Sequence, residues 1–152
     1  MKKETASQAR LLSDETYIID LCDTVLEQKA ERQKRFDFLL GDFHKDGVSK
    51  TKLPVDAFYQ KYNLVIEFKE AQHTASKEIF DKPDVKTVSG VNRGEQRLIY
   101  DQRRASLLPE NGIKLIEISF DMFKYDSQNN IIRNTQLDLL KVREILKEIS
   151  LD

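Results

Sequence analysis

In the run DETYIIDLCDTVLEQKAER, apolar residues recur at Tyr17/Ile18, Leu21, Val25 and Leu26. That three-to-four-residue period belongs to a helix with one buried face. Ser13 stands ahead of the acidic pair Asp14 and Glu15 and suits the N-cap, so the spacing predicts a helix over 14–32. The period then changes. Phe36, Phe38 and Leu40 alternate in RFDFLLGD, predicting a strand that closes near Gly41. The polar FHKDGVSKTK, with Asp46-Gly47, reads as a loop.

Two short apolar runs predict strands near 53–59 and 64–69. Residues 74–92 show no period and read as an excursion or loop. Over 93–108, Leu98, Ile99, Ala105 and Leu108 fall on roughly one side of a helix, and Asn111-Gly112 is a suitable stop. IKLIEIS reads as a strand. The tail TQLDLLKVREILKEISL reads as an amphipathic helix with Leu137, Leu140, Ile145, Leu146 and Ile149 on its apolar face. The order is α-β-β-β-α-β-α, an α/β (α+β) chain with a mixed sheet flanked by helices. No repeat or linker interrupts it, so a single domain over 1–152 is expected.

The hairpin LPVDAFYQKYNLVIEFKEAQH breaks this simple picture, because its apolar runs carry Asp56, Glu67 and Lys69. Burying a charge is costly unless it is paired, hydrogen-bonded or bound to a metal. Side chains alternate along a strand, so Glu67 and Lys69 share a face. With Gln60–Asn63 as the turn, Tyr59 pairs with Leu64 and Asp56 lies opposite Glu67, with Cβ atoms roughly 4.5–5.5 Å apart. Two carboxylates that close repel each other, and a divalent cation between them removes the penalty. Mg²⁺ favours such hard oxygen ligands, with water and phosphate completing its shell. Lys69 can then orient or help deprotonate an attacking water. A solvated sheet face with a cross-strand ion pair has the same spacing.

Charged residues make up 34% of the chain and the net charge is −1, so a nucleic-acid role has to rest on local basic patches. Cys22 is the only cysteine, which excludes an internal disulfide and a cysteine-based zinc site; its neighbours point to a buried helix position. No apolar run approaches the ~20 residues of a membrane span. The start, MKKETASQARLL, lacks the apolar core of a signal peptide, so a cytoplasmic location is expected.

The segment VDAFYQKYNLVIEFK resembles the core of the PD-(D/E)XK nuclease superfamily, with Pro54-Val55-Asp56 and Glu67-Phe68-Lys69 in its places. Pro54 is not adjacent to Asp56 as in the family pattern, but the proline is its least functional part. The series RFDFLLGD, VDAF, LVIEFKEAQH, DQRR and NGIKLIEI is similar to the small very-short-patch-repair-like endonucleases, with Gln72-His73 and Asp101-x-Arg103-Arg104 in corresponding places. Gln96 and Tyr100 fit the Gln-x-x-x-Tyr helix motif of RecB-type nucleases. The resemblance covers roughly residues 35–120. It implies a restriction-endonuclease-like core and Mg²⁺-dependent cleavage of phosphodiester bonds in DNA, with Mn²⁺ able to substitute. Asp56 and Glu67 would bind the metal, Lys69 would serve the nucleophile, and Gln72, His73, Gln96 and Tyr100 would be helpers.

Among the basic residues, Arg97, Arg103, Arg104 and Lys52 are the candidate DNA contacts; Arg97 and Arg104, seven apart, share a helix face that can grip phosphates. Glu27 or Glu31 could add a helix carboxylate to the metal. Asp37 and Asp42 earn no ligand role, and Asp37, opposite in parity to Phe36 and Phe38, should be exposed. Double-stranded DNA is the expected substrate, in restriction, repair or mobile-element work, and a homodimer or partner subunit suits double-strand cleavage by a chain this small. The alternative is a non-catalytic nucleic-acid-binding or assembly module that keeps the nuclease fold.

Overall fold

The computed structural model describes residues 12–43, 50–70 and 93–150. The elements run α1 (Asp14–Leu26), β1 (Glu31–Phe43), β2 (Lys50–Tyr59), β3 (Leu64–Lys69), α2 (Arg93–Glu110), β4 (Lys114–Ser119), α3 (Thr135–Ile145) and the short α4 (Lys147–Ser150). The strands form one mixed sheet in the order β1-β2-β3-β4. The first three are antiparallel neighbours and β4 runs parallel to β3. A mixed sheet with flanking helices is the expected class. No helix among the described residues is long and apolar enough to cross a membrane.

The sheet separates two apolar clusters. On one face, Ile18, Ile19, Cys22 and Leu26 of α1 pack with Ala57, Tyr59, Leu64, Ile66 and Phe68, and Val142, Leu146 and Ile149 close that layer. On the other, Leu108 of α2 packs with Leu39, Leu53, Val55, Phe58 and Val65. Cys22 is fully buried, and burial pushes its thiol up to about 12, as suits an inert core position.

Helix α1 starts as its sequence predicts, with the Ser13 hydroxyl accepting from Thr16 N–H at 3.0 Å. It stops at Leu26 rather than near residue 32, because the apolar period ends there. Glu27 takes a left-handed conformation, and Asp23 Oδ1 then accepts from Ala30 N–H at 3.1 Å, turning the chain into β1. Consequently β1 begins at Glu31, ahead of the expected Arg35. Strand β2 starts at Lys50, inside the expected loop, and residues 44–49 lie outside the described part, as does the excursion at 74–92.

The expected apolar faces of the later helices need correction. In α3, Leu137 and Leu140 are 54% and 60% exposed, while Asp138, Val142 and Leu146 turn inward. Asp138 is tolerated there because it accepts from the Tyr17 hydroxyl and from Asn134 N–H at 2.9 Å. The tail is two helices meeting at Leu146 rather than one. In α2, Leu98 and Ala105 are exposed, and the side toward the sheet carries Tyr100, Asp101, Arg104 and Leu108. That helix runs to Glu110 and ends at Gly112, whose φ of 76° is the left-handed conformation glycine adopts without penalty.

A candidate active site at a fork in the sheet

The turn between β2 and β3 is the four residues Gln60–Asn63, a 3₁₀ turn closed by Asn63 in the left-handed region, and Tyr59 pairs with Leu64 as expected. The pairing continues through Ala57 and Ile66 and then stops. Beyond that point β2 stays with β1, while β3 continues beside β4 through Phe68–Ile118 and Lys69–Ser119. The sheet forks here. Side chains take over the missing ladder: Asp56 N–H donates to Glu67 Oε2 at 2.7 Å, and Phe68 N–H donates to Asp56 Oδ2 at 2.8 Å. Leu53 and Val55 share a cluster with Phe58, of opposite parity, while Ala57 joins the other, so β2 changes face around Asp56. The fork is why two carboxylates can sit in an apolar hairpin.

Glu67 is 5% exposed. Burial first, and then the neighbouring Asp56 carboxylate, push its carboxyl up to about 8, although Arg104 pulls the other way. Its second oxygen, Oε1, faces Arg104 Nε at 3.3 Å. Lys69 Nζ lies 3.2 Å from Asp101 Oδ2 and 3.6 Å from Glu117 Oε2. Asp101 Oδ1 in turn holds Arg104 Nη1 at 3.0 Å, and Arg104 Nε donates to the Pro54 carbonyl at 3.0 Å. Asp56 and Glu67 thus meet directly, while Lys69 connects to Glu67 through Asp101 and Arg104.

A third carboxylate joins from α1. Glu15 is pushed up to about 7, first by burial and then by the neighbouring Asp56 and Glu70. Gln33 helps to hold it, with its Nε2 3.5 Å from Glu15 Oε2. The register of Arg32 with Ala57 and Lys34 with Val55 puts Gln33 opposite Asp56, and Gln33 has a φ of 57°. A non-glycine residue in that region costs of order 1–3 kcal/mol and collects at functional sites. The helix carboxylate at the site is therefore Glu15. Glu27 instead caps α1, and Glu31 pairs with Lys34 at 3.4 Å.

The other sequence candidates scatter. Gln96 Nε2 reaches the Tyr100 hydroxyl at 3.4 Å, which accepts from Asp42 N–H at 3.1 Å, so this pair ties α2 to β1. Arg103 bonds the Leu40 carbonyl and Asp42, both at 2.9 Å. Lys52 pairs at 2.5 Å with Asp37, whose side chain is 93% exposed as expected. Arg104 does not share an open phosphate-gripping face with Arg97: its side chain is 15% exposed and committed to Glu67, Asp101 and Pro54. Gln72 and His73 lie outside the described residues.

Sequence reasoning missed Glu15, Gln33 and Glu117, and weighed Asp101 only through resemblance. Glu15 reads as a first-turn helix acid and Glu117 as an exposed strand charge. Only the (i, i+3) pair Asp101 and Arg104 carries a local signal.

The donor chemistry fits a hard divalent cation. Asp56 and Glu67 bring hard oxygen donors together at the fork, and burial with the neighbouring Asp56 raises the Glu67 carboxyl, a cost that a cation there would relieve. Among the described residues no group of three or more His, Cys, Asp or Glu side chains is arranged to hold a metal ion. Comparison with known proteins finds no matching family, no similar curated protein and no similar solved structure.

Proposed function

We propose that this chain is a metal-dependent DNA endonuclease of the restriction-endonuclease-like type, hydrolysing phosphodiester bonds at the fork between β2 and β3. The observation that carries this reading is the convergence of Asp56 and Glu67, with Lys69 two residues along the same strand. The element order α1-β1-β2-β3-α2-β4 supports it, since that order is expected for such a core.

Asp56 and Glu67 would hold Mg²⁺ or Mn²⁺. When bound, the cation supplies Lewis-acid polarisation of the phosphoryl oxygens and acidifies water. Lys69 Nζ orients the attacking water and offsets charge gathering on the phosphate as the leaving oxygen departs. Burial of the fork keeps these charges in a low-dielectric setting, where each acts more strongly than in water. Arg97, Arg103 and Lys52 are the basic groups for backbone phosphates; Arg103 and Lys52 are already paired with Asp42 and Asp37, and those ion pairs would have to open for such contact.

The test is plasmid cleavage with Mg²⁺ or Mn²⁺. Wild type should nick or linearise supercoiled DNA, and Lys69→Ala or added EDTA should abolish it. Absence of cleavage on supercoiled, linear, single-stranded and branched DNA would overturn the reading in favour of a binding module.

A further inference from the structure

Lys69 and Glu67 are joined through two side chains of α2, Asp101 and Arg104. The Asp101 carboxylate faces Lys69 Nζ with Oδ2 at 3.2 Å and Arg104 Nη1 with Oδ1 at 3.0 Å, and Arg104 then reaches Glu67 Oε1 at 3.3 Å. These side chains are mostly buried: Asp101 is 20% exposed, Lys69 22%, Arg104 15% and Glu67 6%. A lysine has a flexible four-carbon stem, and its ammonium has no preferred direction of its own. Something must fix it. The other neighbour, Glu117, is farther at 3.6 Å and half exposed, so water competes for it and it contributes little.

The register agrees. Lys69 is the last residue of β3, and Ser119, its partner on β4, has no charge to offer. Asp101 comes from the helix that packs across this end of the sheet. It bonds both to Lys69 and to the arginine on Glu67. Arg104 is fixed independently by the Pro54 carbonyl, so the pair Asp101–Arg104 is braced against β2 rather than floating with the helix.

We infer that Asp101 is a positioning residue of this site, its carboxylate holding the Lys69 ammonium in its working place while Arg104 holds Glu67. The inference rests on the nuclease reading for what Lys69 does, but the tether itself is testable without cleavage. It assigns α2 a part in the chemistry beyond packing.

The experiment pairs two readouts on wild type, Asp101→Asn, Asp101→Glu and Glu117→Gln. The first is acylation of Lys69 by a limiting amine-reactive ester, read by peptide mass spectrometry with other lysines as internal references. Asp101→Asn should raise Lys69 labelling severalfold, Asp101→Glu should restore protection, and Glu117→Gln should change it little. The second is Mn²⁺-dependent cleavage. Asp101→Asn should lower kcat about tenfold to a hundredfold, as a misplaced group does, with KM and the Mn²⁺-induced thermal shift retained. Unchanged Lys69 labelling in a folded Asp101→Asn protein overturns the inference. So does a loss of the Mn²⁺ shift with labelling unchanged, which would put Asp101 on the carboxylates instead. Raised labelling with a wild type that cleaves nothing keeps the tether and overturns the nuclease reading.

Discussion

Glu67 is the residue on which most of the site's physics converges. Its folded carboxyl lies near 8 and that of Glu15 near 7, both above the ordinary 4.5, so the folded chain binds more protons than the unfolded one between those limits. A carboxyl raised in this way contributes stability that is fully present below its unfolded value and lost as pH rises through its folded one. Without divalent ions, the melting temperature should therefore fall as pH rises from about 4.5 to 8, and Glu67→Gln should flatten most of that fall. Thermal melts in EDTA across that range check this. A wild-type curve no steeper than the variant's would mean that Glu67 is already ionised in the fold. Gln33 belongs to the same account: its left-handed backbone and its bond to Glu15 place strain beside Asp56.

Packing between β1 and α2 determines where the site's helix sits. A Cβ on Gly41 would meet the Tyr100 hydroxyl at 3.0 Å and Leu53 Cδ2 at 3.2 Å, so glycine is needed for close approach here. The hydroxyl is not free to yield, because it accepts from Asp42 N–H and contacts Gln96. Gly41→Ala should destabilise the fold by about 1–3 kcal/mol, the usual cost of overpacking, and Tyr100→Phe by about 1 kcal/mol through the lost hydrogen bond. Urea denaturation measures both. If either substitution also lowers cleavage more than stability, the shift of α2 has reached Asp101 and Arg104.

The fork couples the fold to its ligands. Side chains replace the ladder at Asp56 and Glu67, so ionising both carboxyls works against the sheet that aligns them. A cation bound there stabilises the folded state by mass action, about 2.7 kcal/mol at a hundredfold excess over Kd. Mn²⁺ should raise the melting temperature of wild type by several degrees, and Asp56→Ala should remove that shift. A shift retained in Asp56→Ala would place the cation elsewhere. The exposed Leu137 and Leu140 on α3 stand apart from this coupling, since that helix packs on α1.

Local chemistry is what the sequence by itself determined. The cap at Ser13, the turn from Gln60 to Asn63, the alternation that sets Glu67 beside Lys69 and the glycine stop at residue 112 each depend on neighbours a few positions away. The hairpin register followed from its turn, and with it the meeting of Asp56 and Glu67. What only the tertiary structure decided are the contacts made across long separations. Glu15 comes beside Asp56, Tyr17 buries Asp138, and Asp101 holds Lys69, each over tens of residues. Such partners leave no period in the chain. They also explain why the faces of α2 and α3 were misread: a paired Asp or Arg can turn inward where the apolar pattern alone puts leucine.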